Sequence, residues 1–199
     1  MSRFSSFSLG VILLSLVVGC ATSPSSQFYT LSAVQVAQLR PDMKPMAMAM
    51  AIAIGPVTVP ELVDRPQIVS RIDANRVSIN EFARWADPLK SQIPRVLAAE
   101  LTQFIPGSIV SVYPQRVDDN ACRVSVDVQS FDSSTSGTVT LAAIWSVRPP
   151  KRGEPVTGRT VVHEVVSGPG YDALVNAHSR ALVSVARDIA VATQSASRQ

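Results

Sequence analysis

The sequence predicts a single α+β domain over residues 27–195, a mostly antiparallel sheet with two packed helices that together form an α/β sandwich. Three observations carry this. After Cys122, three long stretches alternate apolar and polar residues with a period of two, and short connections join them, which describes an antiparallel meander. Two other segments, one opening near Pro88 and one after Gly170, space their apolar residues as helices do, so each has one face to bury. The chain has 199 residues and a formal charge of +3, enough for one core and with Lys and Arg too scattered for a nucleic-acid surface.

The first element is a leader. A polar start carrying Arg3 precedes an apolar run from Leu9 to Val18, broken only by Gly10 and Ser15. That run has the length of a secretory h-region and is too short to span a bilayer. It closes as Leu16-Val17-Val18-Gly19-Cys20, which resembles the bacterial lipoprotein box. The resemblance implies a signal peptide over residues 1–19, a diacylglyceryl group on the Cys20 thiol and an acylated new amino terminus. An ordinary signal peptide with an incidental Cys20 is the competing reading, and the place of the box at the end of the h-region favours lipidation. More than one acyl chain makes anchoring stable, since each buried methylene contributes about 0.8 kcal/mol. Ala21 follows where Gram-negative sorting would need Asp for retention, so the resemblance implies the outer membrane, on its periplasmic face.

Residues 20–26 read as a lipidated tether of small and polar residues, whose six extended positions after the cysteine reach roughly 20 Å. Gln27 to Ala33 alternates as a first strand, and Val34 to Pro45 reads as a linker. Met46 to Ile54 sets Met46, Met48, Met50, Ile52 and Ile54 against four alanines; the period outweighs the helix propensity of Ala and Met, and Gly55-Pro56 brackets the strand. Gln67 to Ile72 and Arg76 to Phe82 form a hairpin turning at Asp73-Ala74-Asn75. Asp87 is the expected N-cap of the first helix and Pro88 its first position, with Leu89, Ile93, Leu97, Leu101 and Phe104 on one stripe. Pro94 predicts a kink or a short first turn before the main helix, and Pro106-Gly107 the stop.

Ile109 to Tyr113 is a short strand. Cys122 to Phe131, Thr138 to Val147 and Arg159 to Val166 make the meander, with Lys151-Arg152 in the Pro/Gly-rich loop before its last strand. Tyr171 to about Thr193 is the closing helix, its stripe formed by Leu174, His178, Ala181, Leu182, Val185 and Ile189.

Catalytic chemistry finds little to work with. The chain has two histidines, His163 in a strand and His178 on an apolar helix stripe, and neither falls in a metal-ligand, G-x-S-x-G or H-E-x-x-H spacing. Once Cys20 carries lipid, Cys122 has no disulfide partner and reads as a buried small hydrophobe. No catalytic residue, metal or cofactor is expected, so a binding or assembly module is the reading.

The stretch Val59-Pro60-Glu61-Leu62-Val63-Asp64-Arg65-Pro66-Gln67-Ile68-Val69-Ser70-Arg71, followed by Glu81-Phe82-Ala83-Arg84-Trp85-Ala86-Asp87-Pro88-Leu89, resembles the PqiC family of ABC-type transport auxiliary lipoproteins. Phe28-Tyr29-Thr30-Leu31 and the last helix, Tyr171-Asp172-Ala173-Leu174 through Ala177-His178-Ser179-Arg180-Ala181-Leu182, extend the likeness over essentially the whole mature chain. It implies a non-catalytic lipoprotein that works with a periplasm-spanning MCE-domain protein to move lipids or hydrophobic solutes between two membranes, and it leaves room for a homo-oligomer. A stand-alone ligand-binding or cell-wall-binding lipoprotein is the alternative, and it would require a defined apolar pocket. As partner contacts the turns offer Asp64, Arg65, Arg71, Arg84 and Trp85, the last two also readable as packing at the helix start.

Overall fold

The computed structural model describes residues 25–35, 50–115, 120–150 and 153–196. Cys20 with its leader, most of the tether, Met46, Met48, the greater part of the 34–45 linker and Lys151-Arg152 lie outside the described residues. Eight strands form one sheet: β1 (Gln27–Tyr29), β2 (Ala51–Thr58), β3 (Gln67–Arg71), β4 (Val77–Trp85), β5 (Ile109–Val112), β6 (Cys122–Ser134), β7 (Thr138–Arg148) and β8 (Val156–Val165). The two helices are α1 (Leu89–Phe104) and α2 (Gly170–Ala196).

The α+β class holds, and the sheet is mixed in detail. Its longest ladders, β6 with β7 and β7 with β8, are the antiparallel meander, and β3 pairs antiparallel with β4. The β1–β4, β2–β5, β2–β6 and β3–β6 junctions are parallel. Strand β6 makes this possible through its length of 13 residues. One edge pairs along β7, while the other is shared between β2 at its start and β3 at its end.

Both helices lie on one face of the sheet, α1 against β2 and β5 and α2 against β7 and β8. The predicted stripes are the ones buried: Leu89, Ile93, Leu97, Leu101 and Phe104 on α1, and Leu174, His178, Ala181, Leu182, Val185 and Ile189 on α2. In β6 the core-facing positions are Val124, Val126 and Val128, then Phe131 and Ser133. A bulge between Val128 and Ser130 switches the parity, which the alternation of the sequence follows. Gly158 is demanded by packing, because a Cβ there would lie 2.3 Å from the Trp145 ring.

Two local expectations are corrected. Strand β2 continues through Gly55-Pro56 to Thr58 instead of ending there. The register against β6 shifts between Ile54 and Val57, and this bulge accommodates a proline that has no N–H to give the ladder. Asp87 does not cap α1. Pro88 is the N-cap, without a side-chain cap bond, and the Asp87 carboxylate turns instead to Arg95 at 2.5 Å. Pro94 lies inside helix α1, which continues past it to Phe104. An interior proline costs about 3 kcal/mol, whereas burying each large apolar side chain contributes about 1.5–3 kcal/mol, so the five-residue stripe outweighs it.

Candidate partner-binding surface

The five residues offered by the turns meet different fates. Trp85 is 5% exposed and belongs to the core, its ring edge-on to Phe131 at 6.0 Å and to His178 at 6.4 Å. It packs the end of β4 under α2 and presents no ring to a partner. Arg71 bonds Asp132 at 2.9 Å, and its carbonyl accepts from Thr135, so it ties β3 to the far end of β6. Asp64 pairs with Lys90 of α1 at 2.5 Å and not with its neighbour Arg65.

Arg65 and Arg84 are left. Each is half-buried, and each has a buried Nε–H without a hydrogen-bond partner. Arg84 lies on the face of β4 opposite Trp85, in register with Phe28 of β1 and Gln67 of β3. Phe82 shares the strand face of Arg84 and is 45% exposed, while Phe28 is 64% exposed. Arg65 lies in the turn entering β3, where the Pro66 carbonyl accepts the Trp85 N–H at 2.6 Å. The result is an outward patch of two phenylalanines and two arginines with unused donors, the residue types enriched at protein interfaces. The carboxylate of Glu81 accepts from Gln67 at 3.0 Å. Sequence reasoning passed over Phe28 and Phe82, although the alternation within Glu81-Phe82-Ala83-Arg84-Trp85 already placed Phe82 beside Arg84.

A second arrangement was also missed. Leu31 to Val34, assigned to strand end and linker, is strapped across the helices by side chains. The Leu31 N–H donates to Gln92 Oε1 at 2.7 Å, the Ser32 N–H to Ser179 Oγ at 3.3 Å and the Val34 N–H to Glu100 Oε1 at 2.5 Å. Gln103 donates to the Val34 carbonyl at 3.1 Å. Glu100 is fully buried, its Oε2 has no partner, and burial pushes its carboxyl above the usual range despite the Val34 bond. The available signal was polar Gln92 and Glu100 set directly beside Ile93 and Leu101 of the buried stripe.

The two histidines separate. His163 is exposed and shares a 2.9 Å bond with Thr140. His178 is fully buried, stacked on Phe131 with centroids 3.9 Å apart, and bonded through Nε2 to Ser133 Oγ at 2.8 Å. Burial holds its pKa down at about 3. Cys122 is buried too, and burial pushes its thiol up, away from nucleophilic reactivity.

A family model described as the ABC-type transport auxiliary lipoprotein component matches residues 29–190. Among solved structures, the chain is similar to an uncharacterized protein at 20% identity, over 83% of this chain and 97% of that one, with a TM-score of 0.70. It is also similar to protein XCC0632 from Xanthomonas campestris, assigned to DUF330, at 15% identity, over 87% of this chain and 100% of that one, with a TM-score of 0.65. At these identities the likeness concerns the fold. No curated protein matches the chain.

Proposed function

The chain belongs to the ABC-type transport auxiliary lipoprotein family, and from that membership we propose that it is a non-catalytic, outer-membrane lipoprotein serving an MCE-type transport system. In this reading Cys20 carries the lipid, and a periplasm-spanning MCE-domain protein is the partner through which lipids or hydrophobic solutes pass between the membranes. The observation that carries it is the family match over residues 29–190, which takes in nearly all of the folded body. The Val18-Gly19-Cys20 ending supports the anchor, and among the described residues no helix is long and apolar enough to cross a membrane. The folded body starts at Gln27, so few residues separate it from Cys20 and the domain stays close to the bilayer.

The role is that of an adaptor. Arg65 and Arg84 offer a partner positive charge, and Phe28 and Phe82 supply exposed apolar area beside them. The anchor is tested by Cys20→Ser in the native host, with metabolic fatty-acid labelling and fractionation. The variant is expected to lose label and to remain unprocessed or become soluble; undiminished acylation would overturn the assignment. Retention of the wild-type protein in the inner-membrane fraction would overturn the outer-membrane placement.

A further inference from the structure

The sheet face opposite the helices carries a groove of about 490 Å³ where β2, β5, β6 and β7 meet. Its floor includes Ala53 and Gly55, and Tyr113, Arg123, Ser125, Ser146 and Arg148 rise around it. The groove has a structural cause. Strand β2 changes register against β6 between Ile54 and Val57, and Gly55, without a side chain, leaves the space beside the Val124 carbonyl open.

The ladder sets two arginines directly opposite one another, Arg123 of β6 against Arg148 of β7, and the next outward rung pairs Ser125 with Ser146. Cross-strand neighbours of this kind have Cβ atoms about 5 Å apart, and like charges so placed oppose folding. Among the described residues neither arginine has an ion pair, and β2 and β5, which form the other wall, carry no charged residue. Among the described residues Asp127, an acid of this face, lies two outward rungs away and already accepts from Thr58 and Gln129.

Two guanidiniums side by side, with two hydroxyl donors on the adjoining rung and an exposed tyrosine across the groove, match the oxygen array of a phosphoryl group. We propose that this groove is a phosphate site, clamped by Arg123 and Arg148 with Ser125 and Ser146 donating, for a phosphomonoester, a phosphodiester headgroup or inorganic phosphate. The bound anion removes the repulsion between the two arginines as well as filling their donors. The site stands on these residues whether or not the MCE partner reading holds, and its test uses neither partner nor anchor.

Titration calorimetry on the full chain in an uncharged detergent uses two soluble probes, inorganic phosphate and glycerophosphoglycerol, the deacylated headgroup of phosphatidylglycerol. Binding of the diester assigns a headgroup, and binding of phosphate alone assigns the free ion. Arg123→Gln and Arg148→Gln are each expected to weaken binding at least tenfold, and Arg123→Lys and Arg148→Lys less than that, because lysine keeps the charge and loses the fork. Arg159→Gln removes another unpaired arginine from the same face, opposite Ile144, and is expected to leave affinity unchanged. Melting in phosphate-free buffer reports folding, with Arg148→Gln expected to melt no lower than wild type. The proposal is overturned if wild type binds neither probe at millimolar concentration, or if Arg159→Gln weakens binding as much as the groove variants. A phosphate-free melting point lowered in both glutamine variants would likewise overturn it, assigning the arginines to the stability of the fold.

Discussion

His178 concentrates several constraints on one ring. Its neutral form stacks on Phe131, meets the Trp85 edge and shares a bond with Ser133, while Nδ1 has no partner. A buried donor left without an acceptor is rarer than the reverse, so the favoured tautomer carries its proton on Nε2 and donates to Ser133. A folded pKa of about 3 against an ordinary 6.5 means that, between those values, the unfolded chain binds more protons than the folded one. Stability is therefore fully present above pH 6.5 and falls below it, by up to about 1.4 kcal/mol per pH unit. Glu100 acts in the opposite sense. Its folded pKa is raised above 4.5, so its contribution is lost as pH rises from that value. The two oppose each other between 4.5 and 6.5, and the difference between wild type and a non-titrating variant isolates the histidine. Comparing His178→Phe with wild type by thermal melting from pH 7.5 to 5, the wild type should lose about 2 kcal/mol more. Parallel curves would remove His178 from the acid response. The missing Ser133 bond offsets the variant by an amount that does not depend on pH.

The strap over α1 shows how one element organises another that has no periodicity of its own. Leu31 and Val34 find acceptors on Gln92 and Glu100, two turns apart on the helix, through contacts separated by more than 60 residues of chain. Replacing Gln92 by Ala leaves the buried Leu31 N–H without its acceptor, which costs about 1–3 kcal/mol. The variant should melt lower, and its Leu31 amide should exchange with solvent much faster while core amides of β7 keep their order of protection. Unchanged exchange at Leu31 would show that the strap is held otherwise. The same comparison explains what the sequence disclosed. Both helices, the hairpin at Asp73 and the meander were legible, because each announces itself through its own alternation or turn residues. Strand β2 was legible in period but not in extent, since only the β6 register reveals that a bulge carries it past Pro56. The parallel neighbours of β2, β3 and β4 were not legible, because those pairings join segments far apart in sequence. For Arg84 and Trp85 the sequence left partner contact and packing at the helix start both open: the motif names both, but only the sheet decides that odd positions of β4's end face the core and even ones face out.

Anchoring sets how the whole molecule meets a partner. If Cys20 carries the proposed lipid, the body explores only tens of ångströms from the bilayer, and in the proposed function traffic between membranes has to be brought to it by a protein that spans the gap. The surface nearest the tether is then the one with most opportunity. β1 runs parallel to β4, which brings the start of the folded body alongside Phe82 and Arg84. Arg71 and Asp64 are already spent on Asp132 and Lys90, and Trp85 on the core, whereas Arg65 and Arg84 retain buried donors without acceptors. What these two half-buried residues have left for a partner is their charge, on a residue type favoured at interface hot spots. Arg65→Glu and Arg84→Glu should therefore weaken co-purification with the MCE protein by at least about 30-fold, the size of a hot-spot loss near 2 kcal/mol, while the melting point moves by no more than about 2 °C. Arg71→Glu should do the reverse, lowering the melting point because it sets a second carboxylate beside half-buried Asp132, and leaving association intact once the protein is folded. Retained association with a lowered melting point in the Arg65 and Arg84 variants would assign those side chains to the fold and move the partner elsewhere on the domain.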